Sequence, residues 1–251
     1  MIKKALILAA GFGRRMGELT KDRPKPLLRL NGIPLIDSTL YFLKQLGINE
    51  IAINLHYLGE SIEHYLDDYP YAKIFFFKEN PILGTAGTLR SLVPTFASWD
   101  ETVFLVNPDE ILLIDSGSKD ILSYGYTTSA HLYLKEAEIN QKEPGWKIKE
   151  QGIIEYSKEE GLPIYMGFSA CKPEVVSSLE KGQFAELGPF WKSQSSENKI
   201  SGSLFPGESF TCGTEEDYEF LTGKPIFEHP YFADFKAFRE SWHGISSSSE
   251  N

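Results

Sequence analysis

Glycines and cations are concentrated near the start of the chain. A short apolar segment, residues 4–10, leads into Gly11 and Gly13, and two arginines, Arg14 and Arg15, follow directly. A strand that ends in glycines presents bare backbone N–H groups to phosphate oxygens, and cations placed after it neutralise phosphate charge. Lys25 lies between two prolines, which restrict its backbone before any ligand binds. The segment is typical of a binding site for a nucleoside triphosphate.

Two widespread phosphate-binding motifs are absent from the sequence. It contains no G-x-x-x-x-G-K-[ST] string, and Met16 stands where a G-x-G-x-x-G dinucleotide fingerprint needs its third glycine. P-loop chemistry and NAD binding of the usual kind are therefore disfavoured.

Two further segments carry residues suited to a ligand site. The first is Leu83–Thr88 (LGTAGT), preceded by Glu79, and the second is Val106–Glu110 (VNPDE), which directly follows an apolar strand pattern. In isolation, the first would predict a helix N-terminus and the second an Asx turn. Because open parallel sheets bind ligands beyond the carboxyl ends of their strands, both segments are expected near the glycine turn.

Together with the stretch Leu8–Leu28 (LAAGFGRRMGELTKDRPKPLL), these segments resemble the signature of the sugar-1-phosphate nucleotidyltransferases, which make nucleotide sugars. The resemblance runs from residue 2 to about residue 221. It is strongest to the short group that includes N-acetylmuramate-1-phosphate uridylyltransferases and mannose-1-phosphate guanylyltransferase-like proteins. It implies a Mg²⁺-dependent reaction in which a nucleoside triphosphate and a sugar-1-phosphate give a nucleoside diphosphate sugar and pyrophosphate.

The same resemblance implies roles for individual residues. The residues expected to bind the nucleotide are Leu8, Ala9, Ala10, Gly11, Gly13, Arg14, Glu79, Gly84, Thr85 and Gly87. Arg15, Lys25 and Asp109 are expected to act in catalysis, and Mg²⁺ is expected on Asp109 and Glu110. Asn107, Lys158 and Gly167 are the candidates for the sugar side. UTP is favoured as the nucleotide, with GTP and CTP left open.

Several positions depart from the family pattern. Pro108 replaces the glycine before the metal-binding aspartate, and Thr211 stands where relatives carry a second metal-binding aspartate. Glu110 or Glu208 could compensate, and the sugar-side motifs are also altered. Two alternatives therefore stay open: a nucleotide- or nucleotide-sugar-binding protein with impaired turnover, and a nucleotidyltransferase for a non-sugar acceptor such as phosphocholine.

Composition narrows the class of protein further. The 251 residues carry a net charge of −10, which argues against general nucleic-acid binding. Residues 1–29 nevertheless hold eight Lys and Arg against two acidic residues, a balance that fits capture of a small anion. No apolar run reaches the roughly 18 residues that a membrane span needs. Two cysteines form no disulfide framework, so the cytoplasm is the expected compartment. The oligomeric state is not predicted.

Strand and helix patterns alternate through the first half of the chain. This alternation predicts an α/β fold: a Rossmann-like, mixed but mostly parallel sheet flanked by helices, with a smaller substrate-facing lobe. Residues 1–223 are predicted to form the nucleotidyltransferase domain, and residues 224–251 an aromatic-rich extension with a frayed end. Predicted strands cover residues 4–10, 50–54, 73–77, 102–106, 128–136, 152–156 and 163–171, and predicted helices cover 36–46, 60–66, 85–92, 173–179 and 214–221.

Overall fold

The computed structural model describes residues 2–92, 101–114, 117–119, 122, 128–138 and 142–243. The strands in these ranges are β1 (Lys4–Leu8), β2 (Arg29–Leu30), β3 (Ile33–Pro34), β4 (Glu50–Leu55), β5 (Lys73–Lys78), β6 (Val103–Val106), β7 (Glu110–Ile114), β8 (Ala130–Lys135), β9 (Gly145–Ile148), β10 (Ile154–Ser157), β11 (Ile164–Cys171), β12 (Ile200–Leu204) and β13 (Gly207–Thr211). The α-helices are α1 (Leu35–Gln45), α2 (Gly59–Tyr65), α3 (Gly84–Leu92), α4 (Leu187–Ser196), α5 (Glu215–Leu221) and α6 (Phe235–His243).

A seven-stranded mixed sheet forms the centre of the protein, in the order β12-β8-β11-β6-β1-β4-β5. The neighbouring strands β6, β1, β4 and β5 are all parallel to one another. β11 is antiparallel to both β6 and β8, while β8 and β12 are parallel. The predicted α/β class with a mostly parallel sheet is confirmed. Because the four parallel strands end at one edge, the segments that follow them meet there.

Apolar side chains cover both faces of this sheet. Ala5 and Ile7 of β1 belong to one hydrophobic cluster and Leu6 to the other, as the alternation of side chains along a strand requires. Strands buried on both faces give continuous apolar runs in the sequence, which is why β1, β4 and β6 were readily predicted.

The elements of the second half were harder to predict. α5 begins as expected: the Thr214 hydroxyl accepts from the Asp217 N–H, and the Asp217 carboxylate accepts from the Thr214 N–H. The helix predicted for residues 173–179 is only a 3-10 turn at Pro173–Val176. α4 was missed because Gly188 and Pro189 lie in its first turn, the one place in a helix where proline is tolerated. The predicted frayed end lies beyond residue 243, outside the described residues.

The aromatic extension packs onto the main core. Around the ring of Tyr41 on α1 lie Phe235 at 5.1 Å and Phe238 at 5.3 Å, measured between ring centroids. Beside this cluster, the buried carboxylate of Asp37 accepts from Arg239 Nε at 2.8 Å and from the Tyr65 hydroxyl at 2.8 Å. Burial raises the pKa of Asp37, and the hydroxyl and the guanidinium oppose that shift. These contacts join α6 to α1 and α2.

No helix in the described part of the chain is both long and apolar enough to cross a membrane.

The ion pair between Arg239 and Asp37 provides a test of how the extension is held. Arg239→Ala removes the guanidinium that donates to the fully buried Asp37 carboxylate. We therefore expect the free energy of unfolding to fall by about 3 kcal/mol in urea titrations. Lys236→Ala on the same helix is the matched control, because its ion pair with Glu240 is exposed. That change is expected to stay within about 0.5 kcal/mol. Equal effects of the two substitutions would contradict the assignment.

Candidate active site

The chain leaves β1 at Leu8 and turns through two glycines at the carboxyl edge of the sheet. Gly13 has φ = 68°, and a Cβ atom there would lie 2.8 Å from Cγ2 of Thr20. The Thr20 hydroxyl donates to Gly13 O at 3.1 Å and closes the loop. Glycine at position 13 is therefore required both by the backbone conformation and by the close approach of Thr20.

A buried hydrogen-bond network behind the turn fixes its position. Asn54, near the end of β4, accepts at Oδ1 from the N–H groups of Ala9 at 2.6 Å and Ala10 at 3.3 Å. Its Nδ2 donates to Glu79 Oε1 at 2.9 Å and Thr88 Oγ1 at 3.1 Å. The network ties the start of the glycine turn to the segment after β5 and to α3. Sequence reasoning missed Asn54, although a polar residue inside the apolar β4 pattern was a usable signal.

Glu79 was predicted to bind the nucleotide, and it is buried within this network. Its Oε2 accepts from the backbone N–H of Leu83 at 2.8 Å, and Oε1 also accepts from the Thr88 hydroxyl. The carboxylate therefore holds the segment before α3 in place while it lines the cleft.

A cation and a carboxylate meet on the other side of the glycine turn. Lys25 Nζ lies 2.5 Å from Asp109 Oδ2 and donates to Gly213 O at 3.1 Å. Asp109 follows β6, and its carbonyl accepts from the backbone N–H of Cys212 at 2.8 Å. Three segments distant in sequence thus converge on one charged pair. Only 13% of the lysine side chain and 18% of the aspartate side chain are exposed, so the surroundings screen the pair less than bulk water would.

Glu110 lies beside this pair but belongs to a different cluster. It faces Thr211 across the β7–β13 pair, and the Thr211 hydroxyl donates to Glu110 Oε1 at 3.1 Å. Lys135 Nζ donates to Thr211 Oγ1 at 2.7 Å and lies 4.0 Å from Glu110 Oε1. Burial raises the pKa of Glu110 to about 7, and the charge of Lys135 opposes that shift. Thr211, which the sequence predicts to replace a second metal-binding aspartate, is therefore engaged by a lysine and a buried carboxyl group.

The glycine turn, the segments that follow β5 and β6, and the loop before α4 surround a cleft of about 540 Å³. The predicted site residues that line it are Leu8, Ala9, Ala10, Gly11, Gly13, Arg14, Arg15, Lys25, Glu79, Gly84, Thr85, Asn107 and Asp109. Predicted residues that are not among its lining are Gly87, Glu110, Lys158 and Gly167. Phe184 and Glu186 line the cleft and were missed, because they lie in a loop with no recognisable motif.

Two of the predicted residues outside the lining have packing roles. Gly87 N–H donates to Ala185 O at 3.0 Å, and a Cβ atom at Gly87 would lie 2.5 Å from Gln183 O. Gly167, with φ = 78°, accepts at its carbonyl from the Asn107 N–H at 3.0 Å. Each glycine lets a neighbouring segment approach the cleft closely. Lys158 is exposed just after β10.

Three carboxylates in the described part of the chain line the cleft, those of Glu79, Asp109 and Glu186, and that of Asp109 lies beside the glycine turn with Lys25. Among the described residues, no cluster of three or more His, Cys, Asp or Glu side chains is arranged as a metal site. Mg²⁺ is commonly held by one or two carboxylates and completes its octahedral shell with substrate phosphates and water. A single aspartate beside the glycine turn could meet that requirement.

The network around Asn54 yields a test of how the glycine turn is held. Asn54→Ala removes the acceptor of the buried Ala9 and Ala10 N–H groups and one of the donors to Glu79. We therefore expect the free energy of unfolding to fall by about 1–3 kcal/mol. Affinity for a nucleoside triphosphate, measured by calorimetry, is expected to fall as well, because the turn loses its support. Asn49→Ala, an exposed change just before the same strand, is the control. If Asn54→Ala bound nucleotide as the wild type does, the network would not be what positions the turn.

Comparison of the sequence with known proteins shows which family the chain belongs to. Residues 5–118 match the family described as the MobA-like NTP transferase domain. The N-acetylmuramate alpha-1-phosphate uridylyltransferase of Neisseria meningitidis serogroup B is 33% identical over 218 residues, which cover 84% of this chain and 93% of that protein. The D-glycero-alpha-D-manno-heptose 1-phosphate guanylyltransferase of Campylobacter jejuni is 31% identical over 221 residues, which cover 86% of this chain and 96% of that protein.

Solved structures share the fold at lower sequence identity. A UDP-glucose pyrophosphorylase in complex with UDP-glucose superposes with a TM-score of 0.75 at 17% identity, covering 91% of this chain and 100% of that one. The sequence matches extend over most of the chain, and thirteen of the predicted site residues line one cleft. The chain belongs to the nucleotidyltransferases with a MobA-like NTP transferase domain, among the sugar-1-phosphate nucleotidyltransferases.

Proposed function

We propose that this enzyme transfers the nucleotidyl group of UTP to a sugar-1-phosphate, releasing pyrophosphate and forming a UDP-sugar. The observation that carries the proposal is the convergence of Arg15, Lys25 and Asp109 beside the glycine turn in one cleft. The choice of UTP is supported by the similarity to a uridylyltransferase over most of both chains. Because another relative is a guanylyltransferase, GTP is the main alternative nucleotide to test.

The proposed reaction needs no covalent bond to the protein. A phosphate oxygen of the sugar-1-phosphate attacks the α-phosphorus of the nucleotide, the bond from that phosphorus to the bridging oxygen of the β-phosphate breaks, and pyrophosphate leaves with the electron pair. Catalysis of such a transfer rests on positioning and on neutralisation of charge. Arg15 neutralises the departing pyrophosphate, and Lys25 stabilises the negative charge that develops at the α-phosphate.

Mg²⁺ is the proposed cofactor, with Asp109 as its protein ligand. When bound, the ion supplies positive charge to the phosphate oxygens. The Lys25 ammonium and a cation compete for the same carboxylate, so we infer that Lys25 turns from Asp109 to the phosphates when substrates bind. Thr211 bonds to Lys135 and Glu110 and has no carboxylate to offer, and among the described residues Asp109 is the carboxylate that lies beside Lys25 at the glycine turn. The cytoplasm, which supplies both nucleotide and Mg²⁺, is the proposed compartment.

Pyrophosphate release tests the reaction and its substrates together. The purified protein is incubated with Mg²⁺, each of UTP, GTP, CTP and dTTP, and a panel of acceptors. The panel contains sugar-1-phosphates, N-acetylmuramate-1-phosphate among them, and phosphocholine. We expect the fastest release with UTP and one sugar-1-phosphate, and none after chelation of the metal. Release with phosphocholine but with no sugar-1-phosphate would contradict the proposed acceptor class.

Asp109→Asn tests the role of the metal-binding carboxylate. Loss of the negative charge weakens cation binding, and we expect pyrophosphate release to fall at least about 100-fold. The drop should be smaller at high Mn²⁺ concentration, because mass action partly restores occupancy. Asp22→Asn, an exposed change in the same basic stretch as Lys25, is expected to retain activity. A comparable loss in both variants would mean that the effect is not local to the cleft.

A further inference from the structure

One large apolar side chain in the cleft is left exposed. Phe184 lies in the segment between β11 and α4, lines the cleft, and exposes 63% of its surface. No ring pair among the described residues includes it, whereas Phe12, the other exposed aromatic of the cleft, packs edge-on against His56 at 5.2 Å and under the guanidinium of Arg14 at 4.9 Å. An exposed apolar surface in a binding cleft indicates a contact with a ligand.

The backbone that carries this ring is held firmly. Ala185 N–H donates to Leu83 O at 2.9 Å, and Ala185 O accepts from the Gly87 N–H at 3.0 Å. The next residue, Glu186, accepts at Oε2 from the Thr85 hydroxyl at 2.7 Å. These bonds attach the two residues that follow Phe184 to the start of α3. The backbone beside Phe184 is therefore held in place while the face of the ring is exposed to solvent. Because this backbone is already ordered, a ligand that contacts the ring binds at a lower entropic cost.

Gly84 explains how the ring reaches its position. With φ = 70°, Gly84 has a backbone conformation that favours glycine, and a Cβ atom there would lie 3.1 Å from Cε2 of Phe184. The same atom would lie 2.6 Å from Ala185 O. A side chain at position 84 would displace both the ring and its anchoring segment, so the glycine serves the placement of Phe184.

The cations of the cleft lie at one end of it. Arg14, Arg15 and Lys25 follow the glycine turn after β1, and Asp109 follows β6. Phe184 lies with Ile82 and Gly84 where β5 leads into α3, on the opposite side of β1 in the strand order. The carboxylates at this end, those of Glu79 and Glu186, already accept hydrogen bonds from Leu83 and Thr85. A nucleotide with its triphosphate on the cations places its base at this end.

We propose that Phe184 is the stacking platform for the nucleobase and supplies a large part of the affinity for the nucleotide. This inference rests on the proposed function, because it takes the triphosphate to lie on the cations. Every nucleobase offers a π-face, so stacking contributes to the affinity for any of them, and the choice of base falls to hydrogen bonds from the backbone around α3.

Calorimetry with two ligands tests this role without turnover. Base–aromatic stacking predicts that Phe184→Ala weakens UTP binding roughly tenfold or more. Affinity for inorganic tripolyphosphate, which has no base, is expected to stay at the wild-type value. Phe184→Tyr, which keeps an aromatic face, should bind UTP nearly as the wild type does, and Phe184→Leu, which keeps only apolar bulk, should resemble Phe184→Ala. Phe220→Ala is the matched control, because Phe220 is 66% exposed and is not part of the cleft lining.

The outcomes separate this inference from the proposed reaction. Selective loss of UTP affinity in the Ala and Leu variants supports the stacking role even if no acceptor gives turnover. Wild-type UTP affinity in Phe184→Ala overturns it, whether or not the enzyme is active. An effect on the KM for the sugar-1-phosphate with unchanged UTP affinity would place the ring against the acceptor and overturn it as well. Equal weakening of UTP and tripolyphosphate, or no UTP binding by the wild type, would also contradict it.

Discussion

The pairing of Lys25 with Asp109 is the interaction on which the site depends. It joins the basic segment after the glycine turn to the end of β6, and the bond from Lys25 to Gly213 adds the end of β13. Lys25 and Asp109 are both mostly shielded from water, and each stabilises the charge of the other. Removing either one would leave a desolvated charge unpaired, which is unfavourable. The pair therefore places opposite charges where we propose that a triphosphate and Mg²⁺ bind. Parallel strands make the convergence possible by ending together at one edge of the sheet.

The strand pair β7–β13, next to the cleft, carries a separate polar cluster. Thr211, Lys135 and Glu110 form a cluster in which a hydroxyl, an ammonium and a buried carboxyl group satisfy one another. The altered position 211 is thus accommodated locally, without an unpaired charge. The sequence alone left open a binding protein without turnover, and the similarity to transferases over most of the chain does not favour that alternative.

Local sequence signals predicted the elements that carry the chemistry. Buried parallel strands give continuous apolar runs, and glycines with positive φ mark turns, so β1, β4, β6 and the glycine turn were recognised. The residues that sequence reasoning missed act through contacts that no local pattern records. Asn54 acts through bonds to residues more than 20 positions away, and Phe184 reaches α3 from a loop about 100 positions further on. The helix α4 was not predicted, because glycine and proline lie in its first turn.

The most direct test of the account is a crystal structure of the protein with UTP and Mn²⁺. The account predicts an anomalous manganese peak bound to the carboxylate of Asp109, the triphosphate against the glycine turn, and Lys25 Nζ moved from Asp109 to a phosphate oxygen. Manganese bound away from Asp109, or a triphosphate that contacts neither the glycine turn nor Lys25, would contradict it.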